Sequence, residues 1–279
     1  MLGQEYIIGK IIGTGSSGDV YLGKNNITKE IVSIKVISKY KSSINEDEVQ
    51  ILARLPISPH SIRLIDTYDE PKKFYIITNY VKGSELSNWQ NKQVTLPWLY
   101  ALTGQMLETL QLIHSMGIVH RDIKLENILV DDDDNSDEMV NFTLIDFGSA
   151  AEDKGDGIIN SNYAGTYGYY SPQLVQAGVD RSTQHVRSFN PSFDAYVKGD
   201  IFALGVVLFL LMEKREPFEL NPQGTEPYHQ FDKPVPMTPH SLIGRHTQLQ
   251  RLVEMMLTGM YTSDEMMTQF TTILNTELV

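Results

Sequence analysis

Two short stretches of the chain carry the residue types that phosphate chemistry needs. Residues 120–127 read HRDIKLEN and supply a carboxylate, an ammonium group and an amide. Residues 146–148 read DFG and supply a second carboxylate. A carboxylate placed beside a hydroxyl can accept its proton, and carboxylate and amide oxygens suit a hard cation. Together these groups could take a proton from a hydroxyl while holding Mg²⁺ on a triphosphate.

The elements that must position these groups change character along the chain. Alternating, β-branched stretches separated by glycine-rich or polar turns predict strands. The strands are expected at residues 6–12, 20–24, 31–37, 62–68 and 74–80. Residues 45–55 instead have helical spacing, with Val49, Leu52 and Leu55 on one face. The front of the chain therefore reads as a sheet with one helix.

From about residue 82 the hydrophobic pattern becomes helical. Helices are expected at residues 99–116, where Gly117 ends the pattern, at 201–212 and at 249–260. The stretch 201–212 is apolar on all sides, which indicates a central buried helix, and it is too short to cross a bilayer, which takes about 20 residues. A strand-rich front and a helical back predict two lobes that join near residues 80–83.

Composition restricts the partners and the compartment. The net charge is −12, which argues against nucleic acid or an anionic membrane as the main partner and favours a basic protein or peptide. The chain has no cysteine, so disulfides and thiolate metal sites are excluded, and a reducing compartment is compatible. The N-terminus lacks the pattern of a signal peptide. We therefore expect an intracellular, cytoplasmic protein, with the nucleus left open.

A glycine motif lies between the first two predicted strands. Residues 13–18 read GTGSSG, and glycines there would let the backbone fold closely over phosphates. In a dinucleotide-binding fold this pattern opens a helix, whereas here VYL at 20–22 continues as a strand. Taken alone, the motif could also be a plain hairpin turn.

These motifs and their order resemble the eukaryotic protein kinase superfamily, from about residue 6 to residue 270. The resemblance implies an α+β, bilobal fold that forms one catalytic domain. A small β-rich lobe with one main helix would take residues 1–81, and a larger, mainly helical lobe residues 82–279. It also implies ATP and Mg²⁺ as cofactors, with Mn²⁺ as a substitute.

The resemblance implies a role for each group of the two motifs. Asp122 would accept or orient the proton of the substrate hydroxyl, and Lys124 would neutralise charge on the γ-phosphoryl group. Asn127 and Asp146 would bind Mg²⁺.

A third kinase motif would lie on the strand that reads VSIK at 32–35. Lys35 would hold the α- and β-phosphates and pair with a glutamate of the following helix, for which Glu48 fits better than Glu46.

The resemblance also implies an ATP pocket. The backbone of Asn79 and Val81 would bind adenine beyond a small gatekeeper, Thr78. The full set of expected ATP-binding residues is Gly13, Gly15, Gly18, Val20, Ser33, Lys35, Thr78, Asn79, Val81, Glu85 and Leu129. A hydrophobic spine between the lobes would use Leu52, Leu64, His120 and Phe147, with Asp200 as its anchor.

Substrate class follows from the same resemblance. Lys124, two places after Asp122, is typical of serine/threonine kinases, with dual specificity left open and a leaning to the calcium/calmodulin-dependent-kinase-like group. Glu85 and Glu126 match acids that bind arginine before the phosphoacceptor in basophilic kinases. The alternative is that Glu85 serves the ribose and Glu126 only the loop.

The segment before the central helix departs from the family pattern. Residues 171–173 read SPQ where the family has Ala-Pro-Glu, and the arginine that pairs with that glutamate is best matched by Met260. An unpaired buried charge would cost about 3–5 kcal/mol. If both charges are absent together, no such charge is left. Two polar stretches are interpreted as surface loops. The acidic stretch 131–138 lacks the glycine and the terminal glutamate of an EF-hand calcium loop, and for 178–198 the alternative is a docking element.

Regulation by phosphorylation is a further expectation. In the family, an arginine in the position of Arg121 often binds a phosphate on the activation loop. The candidate acceptors are Ser161, Tyr163 and Thr166.

Two rival functions remain at this stage. A kinase-fold scaffold that binds nucleotide and partners would be expected to lack Lys35, Asp122, Asn127 or Asp146. None is lost, so this rival rests only on the altered SPQ segment at 171–173. A kinase of small molecules would lack the peptide-receiving segment at 165–166.

Overall fold

The small lobe is built on one antiparallel sheet. The computed structural model describes residues 2, 4–15, 18–40, 46–131, 140–159, 165–166, 168–174, 191–218 and 247–277. The sheet has the order β1-β2-β3-β5-β4, with β1 at Tyr6–Gly15, β2 at Gly18–Asn25, β3 at Ile31–Ser38, β4 at Leu64–Asp69 and β5 at Lys73–Asn79. Helix α1, Glu46–Arg54, lies between β3 and β4.

Alternation along β3 decides what each face of this sheet does. Val32 and Ile34 are buried in an apolar cluster with residues of the first, third and fifth strands. Ser33 and Lys35 point to the opposite face, where Ile37 and Ile76 join the cluster that contains the buried side chains of α1. In the strand register Lys35 lies opposite Val20 on β2 and Ile76 on β5. Lys35 is therefore directed toward α1.

The large lobe is mainly helical. Its helices are α2 at Leu96–Ser115, α3 at Phe193–Glu213, α4 at Thr247–Met256 and α5 at Ser263–Glu277. Thr95 caps α2 by accepting from the Trp98 backbone N–H, and Ser192 caps α3 by accepting from that of Ala195. Helix α3 is apolar all round and buried, as the sequence predicted, and the other helices pack around it.

Helix α3 begins earlier than the periodicity suggested. The sequence reading placed residues 178–198 in a surface loop, but the helix starts at Phe193 because Ser192 caps it; residues 175–190 lie outside the described part. Within the described residues α3 is also the one helix with the length and apolarity to cross a membrane, but 89% of its apolar window is buried inside the protein. Its composition is that of a core helix.

Short strands that the sequence analysis missed organise the large lobe. Strands β6 (Ser84–Glu85), β8 (Ile128–Asp131) and β9 (Asn141–Leu144) form one sheet in the order β6-β8-β9. Strands β7 (Ile118–Val119) and β10 (Ala151–Glu152) form another. The β7–β10 pair holds the chain before His120 beside the chain after Phe147. Helix α5 was also not predicted.

Candidate active site

Lys35 is the centre of a buried cluster of charges. Its Nζ lies 2.7 Å from Oε1 of Glu48 on α1 and 3.1 Å from Oδ1 of Asp146. Glu48 is 3% exposed. Through these two contacts, β3, α1 and the chain after β9 meet at Lys35. The structure thus places Glu48 against Lys35, and it brings both lobes together at one ammonium group.

The neighbours of these groups fix their charge states. Burial alone would lower the pKa of Lys35, but the carboxylates of Glu48 and Asp146 outweigh burial and raise it. Burial works to raise the pKa of Asp146, but Lys35 and the Gly148 backbone N–H outweigh burial and lower it. At neutral pH Lys35 is therefore a cation and Asp146 an anion.

The loop at 120–127 assembles a second group of side chains. Nζ of Lys124 lies 2.9 Å from Oδ2 of Asp122, and the Asn127 amide nitrogen donates to the same Oδ2 at 3.0 Å. The Thr166 hydroxyl donates to Oδ1 of Asp122 at 2.6 Å and accepts from Lys124 at 2.8 Å. The carboxylate is therefore held by an ammonium group, an amide and a hydroxyl at once.

The backbone of this loop is held by Asp200. Its carboxylate accepts from the backbone N–H groups of His120 and Arg121, each at 2.8 Å. Arg121 has φ 67°, a left-handed conformation that costs a non-glycine residue about 1–3 kcal/mol. Buried His114 also contacts Asp200, at 3.0 Å, and contacts Ser263 on α5 at 2.9 Å. The strain that presents Asp122 is thus offset by a buried acid of the central helix.

His120 is a structural histidine. Its ring packs edge-on against Phe147 at 4.9 Å and is fully buried, as the spine interpretation predicted. Nε2 lies 3.1 Å from the Ile145 carbonyl oxygen, and Nδ1 accepts from the Asp122 N–H at 3.3 Å. These partners fix the neutral tautomer with its proton on Nε2. Burial lowers the pKa of His120 accordingly.

The segment that carries Thr166 approaches the loop closely. Gly165 has φ 126°, and a Cβ there would lie 2.5 Å from the Arg121 carbonyl oxygen. Only a glycine permits this approach. Among the predicted phosphorylation sites, Ser161 and Tyr163 lie outside the described residues. A phosphate on Thr166 would meet the Asp122 carboxylate, so the geometry argues against this acceptor.

The glycine motif forms a hairpin at the end of β1 and the start of β2. Gly15 pairs with Gly18 and Gly13 with Val20, as expected for a motif between strands and not before a helix. Gly18 has φ 141°, and a Cβ there would lie 2.6 Å from the Val36 carbonyl oxygen. Residues 16 and 17 lie outside the described part.

The remaining expected ATP-binding residues lie on both lobes. Ser33 pairs with Thr78 across β3 and β5, and Glu85 pairs with Leu129 across β6 and β8. Thr78 is buried and Glu85 is exposed; the half-buried residues are Val20, Ser33, Asn79, Val81 and Leu129. The two lobes meet through Lys35 and Asp146, and the expected ATP-binding residues come from both of them.

The predicted metal ligands have oxygen atoms to offer. The Asn127 nitrogen is occupied by the backbone and side-chain oxygens of Asp122, which leaves its amide oxygen for a cation. Oδ1 of Asp146 accepts from Lys35 and Gly148, so Oδ2 is the atom available to a metal. Among the described residues no cluster of three or more His, Asp or Glu side chains could hold a metal. Two hard oxygens fit Mg²⁺, which usually takes its remaining ligands from water and phosphates.

The departure at residues 171–173 has a structural counterpart. The Gln173 amide nitrogen donates to the Thr258 carbonyl oxygen at 2.9 Å and lies 3.5 Å from Sδ of Met260. The two positions matched to the family's ion pair are therefore in contact, without a charge on either. The sequence analysis had matched Gln173 to the glutamate and Met260 to the arginine of that pair.

Thr166 is the site residue whose role the sequence analysis missed. It was expected as a phosphate acceptor and as part of the peptide-receiving segment, but its hydroxyl contacts both Asp122 and Lys124. The glycine before it was the available signal, because a glycine at that point permits close packing on the loop. The acids considered for substrate recognition, Glu85 and Glu126, are both exposed.

Comparisons with known proteins identify the family of the chain. The family profile "Protein kinase domain" matches residues 6–271. CBL-interacting serine/threonine-protein kinase 2 of Arabidopsis thaliana is 31% identical over 230 residues, covering 78% of this chain and 45% of that protein. Probable serine/threonine-protein kinase 2 of Plasmodium falciparum is 30% identical over 224 residues, covering 77% of this chain and 39% of that protein.

A more distant relative is Rho-associated protein kinase 1 of Oryctolagus cuniculus. It is 28% identical over 184 residues, which cover 63% of this chain and 13% of that protein. The chain thus spans less than half the length of these curated relatives. With the family profile matched from β1 into α5, the chain belongs to the eukaryotic protein kinase family, among relatives of the serine/threonine type.

Proposed function

We propose that the chain is an ATP- and Mg²⁺-dependent protein kinase that phosphorylates serine or threonine hydroxyl groups. The observation that carries the proposal is the complete Lys35–Glu48–Asp146 cluster beside the Asp122–Lys124–Asn127 group. Phosphoryl transfer depends mainly on positioning and on charge stabilisation. These two groups supply both.

Each side chain has a task in this reaction. Lys35, fixed by Glu48, would hold phosphate oxygens of the nucleotide, and Asp146 and Asn127 would hold Mg²⁺, which would supply positive charge beside the phosphates. Asp122 would orient the substrate hydroxyl by accepting its hydrogen bond, as it accepts one from the Thr166 hydroxyl here, and would then take its proton. Lys124 stabilises the negative charge on the transferred group.

The test is transfer of labelled γ-phosphate from ATP to a basic protein. The wild-type chain should label serine or threonine, while Lys35→Met and chelation of Mg²⁺ should each reduce the rate by about 100-fold or more. Added Mn²⁺ should restore part of the transfer rate that is lost when Mg²⁺ is chelated. Nucleotide binding without any transfer would support the kinase-fold scaffold instead.

The substrate class is part of the proposal. Glu85 and Glu126 are exposed, and the chain carries a net charge of −12, so we propose peptides with arginine or lysine before the phosphoacceptor. A positional peptide library should select basic residues there, and Glu126→Gln should weaken that selection without changing the affinity for ATP. Selection of acidic or proline-directed sites would contradict the idea.

The cellular setting is proposed on the same grounds. An intracellular, cytoplasmic enzyme fits a chemistry that needs ATP, and the negative charge favours protein substrates over nucleic acid or membrane. Membership of the calcium/calmodulin-dependent-kinase-like group also remains a proposal.

A further inference from the structure

The side chain of Arg54 crosses from the small lobe to the large lobe. Arg54 is the last residue of α1, and its Nη1 forms an ion pair with Oε1 of Glu152 on β10. Its Nη2 also donates to the carbonyl oxygen of Met116, just beyond α2, at 3.4 Å. Arg54 and Glu152 lie outside the catalytic and ATP-binding groups described above.

The elements that meet at Arg54 are those that carry the site. Strand β10 follows the Asp146-Phe147-Gly148 segment, and its partner β7 leads directly into His120 and the catalytic loop. Helix α1, which carries Glu48, packs against β10 and against the short 3₁₀ turn Phe147–Ser149. One guanidinium group therefore ties the helix of Glu48 to β10 and to the chain just before β7.

We propose that the Arg54–Glu152 ion pair is a positioning device that holds α1 where Glu48 reaches Lys35. This inference rests on the proposed kinase activity, because the position of Lys35 matters only if Lys35 acts in phosphoryl transfer. Ile51 and Leu52 on α1, with Leu55 just after it, supply apolar packing, which is not directional. The ion pair adds a fixed contact at the end of the helix, and that contact sets the orientation of α1.

The exposure of the pair determines how strong the effect can be. The Arg54 side chain is 43% exposed and that of Glu152 is 30% exposed, so salt screens their attraction. A partly exposed pair of this kind changes an equilibrium by about two- to fivefold. The device therefore modulates the activity without switching it off, and its effect depends on ionic strength.

The experiment is a double-mutant cycle on the whole chain. Glu152→Gln, Arg54→Met and the double variant are compared with the wild type by kcat/KM and by amide hydrogen exchange of residues 46–54. Lys198→Ala is the matched control, because it breaks a similar surface pair, with Asp194 at 2.7 Å on α3. Exchange reports how readily α1 opens, independently of catalysis.

At low salt each single variant should lower kcat/KM by about two- to fivefold and speed exchange in α1 by a similar factor. The double variant should be no worse than Arg54→Met, the control should match the wild type, and about 0.5 M salt should remove the differences. Single variants that behave like the control, or effects that multiply in the double variant, would overturn the inference. If the wild type transfers no phosphate, the proposed function fails, while exchange in α1 still decides this question.

Discussion

Neighbouring groups hold individual side chains of the site in defined charge states. Lys35 stays protonated because two carboxylates face it, and Asp146 stays ionised because Lys35 and a backbone N–H face it. His120, two residues from Asp122, is instead buried and neutral. The reactive loop therefore contains a histidine that packs against Phe147 and does not act as a base.

The neutral state of His120 predicts a pH dependence of stability. Because burial lowers its pKa in the folded state, the unfolded chain takes up the proton first as the pH falls below the ordinary value of 6.5. The stability that His120 contributes is complete above pH 6.5 and is lost as the pH falls, by at most about 1.4 kcal/mol per pH unit. Denaturant unfolding between pH 7 and 5 should show a flatter dependence in His120→Phe, which keeps the ring packing. Equal slopes would show that His120 does not titrate on unfolding.

Among the elements, the segment that ends at Gln173 is anchored without charge. Its amide nitrogen donates to the Thr258 carbonyl oxygen in the turn between α4 and α5, and its buried Oε1 accepts no hydrogen bond from the residues that the structure describes. This contact fastens the segment that begins at Thr166 to the helices behind it. Because the Gln173 amide is neutral, it needs no arginine at position 260 to balance a charge.

Replacing this amide by a carboxylate should weaken the anchor. At neutral pH Gln173→Glu would turn a donor toward Thr258 into an acceptor and leave a charge without a partner, at a cost of about 1–3 kcal/mol. Adding Met260→Arg should recover much of that loss, since Met260 lies against the same side chain. The free energy of unfolding, determined in urea, measures the loss in Gln173→Glu and the recovery in the double variant. A neutral effect of Gln173→Glu would mean that the anchor does not stabilise the fold.

The elements of regular period were predictable from the sequence, and those set by tertiary pairing were not. The five strands of the small lobe, α1 and the buried α3 follow from alternation or apolar character. Strands β6, β7 and β10 are two residues long, so their sequences carry no period and only their partners define them. Helix α5 mixes polar and apolar residues, and its short apolar face is too weak a pattern to identify it.

The same division applies to the site. The residue types and order of HRDIKLEN and DFG indicated which groups would act, and the structure brings those groups together. The contacts of Thr166 with Asp122 and of Arg54 with Glu152 join residues far apart in sequence; the glycine at 165 is the one local signal for the first, and nothing local specifies the second. The motifs therefore predict the chemistry, whereas the tertiary contacts that hold it in place are seen only in the structure.

At the scale of the molecule, the two lobes meet at the Lys35 cluster. The small lobe brings the glycine hairpin and Lys35, and the large lobe brings Asp122, Asn127 and Asp146. Asp200 on the buried α3 holds the catalytic loop from behind. One Mg²⁺-bound nucleotide in the cleft would contact groups from both lobes, so its binding should stabilise the whole chain by mass action.

The central claim is that Asp122 acts on the substrate hydroxyl while other groups hold the nucleotide. The most direct measurement is the rate of γ-phosphoryl transfer by Asp122→Asn, with Mg²⁺–ATP affinity determined by calorimetry on the same sample. We expect kcat to fall by about 100-fold or more while the affinity changes less than about threefold. Transfer at the wild-type rate would contradict the assignment of Asp122, and loss of nucleotide affinity equal to the loss of kcat would contradict the division of roles.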